Sequence, residues 1–169
     1  MKKFFLFLYL FSFLVTIFVF VLANAMTTEL TPTSRSGNGN PFIFFLMFTQ
    51  PFILFFLYGT VEYSMRWLVT LANRSIQLCA ILSISAAAFI FALTLWQVSR
   101  MRDEILRVND TFTSLSQVGF LNVYTNNLFF NAYTLAMMVL LCCFIGCIWA
   151  LFIKKRTMKQ NNNNINLIK

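Results

Sequence analysis

Four long runs without a single charged side chain divide this sequence: Phe4–Leu22, Pro41–Tyr58, Ile76–Trp96 and Tyr133–Ile153. Each is close to the length a helix needs to cross a hydrocarbon core of roughly 30 Å. A helix that is apolar on every side has no face to offer water. In lipid, a helix also satisfies its own backbone hydrogen bonds. The runs predict an all-α integral membrane helical bundle with four transmembrane helices. They place one membrane domain over residues 1–153 and a basic, Asn-rich tail over 154–169.

Composition narrows the function. Charged residues make up 11% of the chain, against roughly 25% in soluble domains, and the spans leave no length for a separate soluble core. The net charge of +8 reads as an orientation signal and headgroup attraction rather than nucleic-acid binding, because the cations cluster at span ends. The chain has no histidine, which excludes imidazole-held haem, the usual zinc hydrolase sites and His-based acid–base chemistry. Cys79, Cys142, Cys143 and Cys147 all fall inside spans, so neither a disulfide framework nor a metal site is expected; they read as small apolar residues. Phenylalanine is over-represented, with 22 residues in all; these suit lipid or partner-helix contact.

The connectors carry the remaining signals. Met1-Lys2-Lys3, an apolar run and Ala23-Asn24-Ala25 outline a secretory signal, but the run exceeds the usual length of such a region, so a retained span is expected. Residues 26–40 read as a polar loop, and Asn40-Pro41 as a helix start. Pro51, mid-span, predicts a bend because it cannot donate to the carbonyl of Met47. Glu62 and Arg66, four apart, predict a mutually neutralising pair on an interfacial helix over 59–75; a proton path is the functional alternative. Ser83 with Ala87, and Ala88 with Ala92, form small-residue faces for close helix approach. Beyond Trp96 a solvated helix extension is expected, with Arg100–Glu104 and Asp103–Arg107 as ion pairs. Asn122, Asn126, Asn127 and Asn131 would form a polar stripe on an interfacial helix over 116–132, which leaves open a short fifth span.

Lys and Arg counts set orientation. With four spans, Lys2, Lys3, Arg66, Arg74, Lys154, Lys155, Arg156, Lys159 and Lys169 share one side, against Arg35, Arg100, Arg102 and Arg107 on the other. Both termini are therefore expected on the cytoplasmic or matrix side.

One stretch resembles a known family. Gly119 to Thr125, the apolar run from Thr134 through Ile145-Gly146 to Leu151, and Lys154-Lys155-Arg156 with Lys159-Gln160 resemble the end of subunit 6 of respiratory NADH:ubiquinone oxidoreductase (complex I). The likeness covers residues 119–160. That family has five spans where four are counted here. Its third span carries a Tyr-x-Gly-Ala-like stretch with a π-bulge associated with coupling, for which Tyr58-Gly59 is the nearest candidate. The resemblance implies a mitochondrial inner-membrane subunit in a proton-translocating arm, with no cofactor of its own and with other membrane subunits and lipid as partners. Tyr58, Gly59, Glu62, Arg66 and Gly146 become the candidate coupling or packing positions, Gly146 for packing.

Without that resemblance, a free-standing bacterial plasma-membrane protein of immunity or stress type stands as an alternative. So does an accessory subunit of another respiratory complex or of ATP synthase. A transporter would need a polar pathway, for which Gln50, Gln77 and the asparagines are the available material. No catalytic residue, nucleotide loop or substrate site is recognisable, and neither nucleic acid nor a directly bound small-molecule substrate is expected. No activity of its own is expected; under the resemblance it would be a subunit of NADH:ubiquinone reductase.

Overall fold

A computed structural model describes residues 2–31, 39–108 and 113–167. The described residues are helical with no strand: α1 Lys2–Ala25, α2 Phe42–Leu68, α3 Asn73–Val108, the single-turn α4 Asn126–Phe129, and α5 Ala132–Leu167, with a 3-10 turn at Leu115–Gln117 before α4. Four helices are long and apolar enough to cross a membrane, as the uncharged runs predict.

Every long helix outruns its apolar core. At 1.5 Å per residue, the 27 residues of α2 span about 40 Å, and the 36 of α3 and of α5 about 54 Å. Both exceed a core of roughly 30 Å, so the polar ends project into headgroups or water. Glu62 and Arg66 accordingly stand on the last turns of α2 itself, not on a separate interfacial helix, and α2 runs through Pro51 without a break. The stretch expected as a tail continues α5 to Leu167. It contains no Gly or Pro, and extending an existing helix avoids the cost of nucleation. Arg35, Asp110, Lys169 and residues 32–38 of the 26–40 loop lie outside the described residues.

Residues 116–132 form neither the expected interfacial helix nor a fifth span. Asn122 and Asn131 bond to nearby backbone and Asn126 to the distant Asn40, which favours turns over helix.

The residues pack as two compact units, Met1–Phe56 with Phe89–Ala136, and Leu57–Ala88 with Met137–Lys169. In the first, the phenylalanine-rich runs face each other. Phe5 meets Phe55 at 5.3 Å, Phe11 meets Phe52 edge-on at 5.5 Å, and Phe13 and Tyr9 both reach Phe56. Between lipid-embedded helices the hydrophobic effect gives little drive, and packing of this kind holds the pair; each ring contact adds about 0.5–1.5 kcal/mol. Phe130 closes the end of that seam against Phe20 and Phe42. Ile105, Val118 and Tyr124 form a smaller cluster with Leu30, Met101 and Val123, fastening the connector to α3.

In the second unit the core is Leu68, Ile76, Ala80, Cys147 and Ala150, joining the end of α2, the start of α3 and the middle of α5. A tight turn over residues 69–72 links α2 to α3: the Val69 and Leu71 amides donate to Met65 and Leu68 carbonyls at 3.0 Å. Lys154 Nζ donates to the Leu71 carbonyl. Ser83 and Ala87 are buried, but Ala88 is exposed, as is Ala92 of the first unit. Only one of the two small-residue faces is therefore packed.

Candidate functional site

The five sequence-predicted positions all fall in the second unit. Gly146 of α5 sits directly on the backbone of α2. A methyl group at this position would lie 3.0 Å from Ser64 Cβ, 3.1 Å from the Met65 amide nitrogen and 3.3 Å from the Val61 carbonyl oxygen. Two of those three atoms are main chain, so any side chain here requires α2 backbone to give by a few tenths of an ångström. One turn before Gly146, Cys143 Sγ lies 3.5 Å from Ser64 Oγ.

Glu62 and Arg66 form the predicted pair, with Nε and Nη2 of Arg66 each 2.7 Å from the same carboxylate oxygen, Oε1. Arg66 is 64% exposed, so the pair contributes at most about 1 kcal/mol. Tyr58 is exposed and Gly59 buried, and both lie in regular α-helix; no π-bulge occurs there. The structure thus brings Gly146 against residues 61–65 and Glu62 against Arg66, while Tyr58 projects from the surface.

The α3 ion pairs do not form. Among the described residues, the Arg66–Glu62 contact is the one ion pair. Arg100 instead lies over the Trp96 ring at 5.0 Å. Arg102 is drawn to the connector, donating to the carbonyls of Val118 at 2.9 Å and Leu115 at 2.6 Å with its guanidinium over Phe120. Gln50 and Gln77 are both exposed.

A second polar cluster, in the first unit, was not anticipated. Asn40 and Asn126, 7% and 0% exposed, exchange amide hydrogen bonds of 2.7 and 3.3 Å. Asn40 Oδ1 also accepts from the Phe42 amide, capping α2 behind Pro41. Asn24 Nδ2 donates to the carbonyl of Phe130 at 2.6 Å, and the Thr28 amide to that of Val123.

A repeated tetrapeptide organises this connector: Asn122-Val-Tyr-Thr125 and Asn131-Ala-Tyr-Thr134. In both copies the Asn amide donates to the Thr hydroxyl at 3.0 Å and Asn Oδ1 accepts from the Tyr amide at 2.9 Å. The second copy is the N-cap of α5, its Oδ1 also taking the Thr134 amide. The Asn-x-Tyr-Thr repeat is the sequence signal that would have found this cluster.

The arrangement does structural chemistry. The four cysteines are free, with Cys147 fully buried in the core of the second unit, and among the described residues no three His, Cys, Asp or Glu side chains converge. The class that the fold and these packing sites define is an integral membrane protein. No protein-family model, curated protein or solved structure matches the chain.

Proposed function

We propose that this chain is a non-catalytic, helix-packing subunit of a multi-subunit energy-transducing membrane complex, specifically of the membrane arm of respiratory NADH:ubiquinone oxidoreductase. What carries the reading is the Gly146 seat. The one glycine that the C-terminal resemblance marks as a packing position is the residue at which α5 rests on α2 main chain. Large exposed apolar side chains support it, such as Phe48 at 80% and Phe44 at 68%, since such a surface needs lipid or neighbouring helices.

In this role the chain holds no cofactor and transfers no proton itself. The unbroken helix at Tyr58-Gly59 makes it a positioning element beside the coupling machinery, and Glu62–Arg66 a surface pair. The excess of Lys and Arg on one side of four spans supports a reading with both termini in the mitochondrial matrix. An affinity tag on the chain tests the assignment: the membrane particle recovered in mild detergent should carry NADH:ubiquinone reductase activity. Recovery of a large particle without that activity would assign the chain to a different complex.

A further inference from the structure

We propose that the polar end of the second unit holds one anionic phospholipid in a defined pocket between the α2–α3 turn and α5. A cavity of about 310 Å³ there is lined by Val69, Asn73, Ile153, Lys154, Thr157 and Met158. Its chemistry is that of a headgroup meeting its first acyl carbons. Lys154 and Asn73 supply donors, the Thr157 hydroxyl being given to the Ile153 carbonyl at 3.1 Å, whereas Val69, Ile153 and Met158 supply apolar wall.

The surrounding charge is of one sign. Arg74, Lys155, Arg156 and Lys159 are exposed, and each is next in sequence to a lining residue. The sole acid of the second unit, Glu62, is already engaged by Arg66 at 2.7 Å. Among the described residues of the second unit no other carboxylate competes for these cations, so a bound anion meets a field of one sign there. The Lys154 ammonium is fixed by the Leu71 carbonyl and keeps two further donors for a phosphate. Position completes the argument. α5 is too long for the membrane core, so its turns past Ile153 lie at the depth of phosphodiesters, where basic pockets between helices select acidic headgroups.

Native mass spectrometry of the full chain, purified in a neutral detergent, tests this with equal phosphatidylglycerol and phosphatidylcholine of matched acyl chains. One phosphatidylglycerol per chain should be retained, with about tenfold preference, surviving roughly 0.5 M salt, where the Debye length is only about 4 Å. Met158→Trp and Ile153→Trp fill the pocket and leave every cation in place; either should abolish the preference, with circular dichroism verifying the helices. Attraction by diffuse charge gives a different pattern. There the tryptophan variants bind normally, and each neutralised cation, Lys155→Gln or Lys159→Gln, costs about fivefold alike. That pattern overturns the proposal, as does equal retention of both lipids. Displacement by excess inorganic phosphate would mark the pocket as a free-anion site and overturn the lipid assignment.

Discussion

Gly146 rests on α2 main chain and Asn126 on the buried Asn40, and each position makes a sharp prediction. Alanine at 146 must displace the Ser64 Cβ and the α2 main chain by tenths of an ångström. Leucine cannot be accommodated, and overpacking of that kind costs about 1–3 kcal/mol or more. Thermal unfolding in detergent should therefore rank wild type above Gly146→Ala and Gly146→Leu lowest. Adding Ser64→Gly should rescue the alanine variant only in part, because the Met65 amide and Val61 carbonyl remain. Equal stability of all variants would remove the close approach from the account. Asn126→Ala leaves the buried Asn40 amide without its partner and should cost about 1–3 kcal/mol. The Asn40→Ala/Asn126→Ala double variant should lose less than the sum of the two singles. Gly146 entered as a packing position through the C-terminal resemblance, and its close approach to α2 main chain agrees with that role. Asn126 was not legible in the sequence: i, i+4 spacing fits a helical stripe as well as a turn, and its partner lies 86 positions away.

Among the elements, the four spans were legible because an uncharged run of such length has one physical reading. Their ends were not, because helix propagation past the apolar core depends on caps and tertiary anchors. α3 and α5 show both sides of this. The charges after Trp96 suggest i, i+4 pairs, yet tertiary carbonyls outbid the neighbouring carboxylates for Arg102, since two charge-assisted hydrogen bonds and a ring face are on offer. Arg102→Lys should lose that fork. Amide exchange across 115–120 should then speed up by about tenfold or more, as expected for bonds worth about 1.5–3 kcal/mol, with α1 unchanged. At the other end of the connector, Asn131→Ala removes the acceptor for the Tyr133 and Thr134 amides. The first turn of α5 should fray, at a cost of about 1 kcal/mol, visible as faster exchange at residues 132–135. Unchanged exchange in both variants would mean that the connector is held by apolar contacts alone.

At the scale of the whole molecule, apolar side chains face outward on every long helix, and the polar groups are spent on fastening helices to turns. A chain built this way has helices to pack, which is the basis for proposing it as a subunit. That conclusion was only partly legible: hydropathy dictates residence in lipid, but what covers the exposed faces is a property of neighbours, which the sequence of one chain does not encode. Native electrophoresis of membranes solubilised in mild detergent, with the chain detected by a tag, measures this directly. The account predicts migration within a particle many times the chain's own 19.6 kDa. Migration as a monomer or homodimer would contradict it.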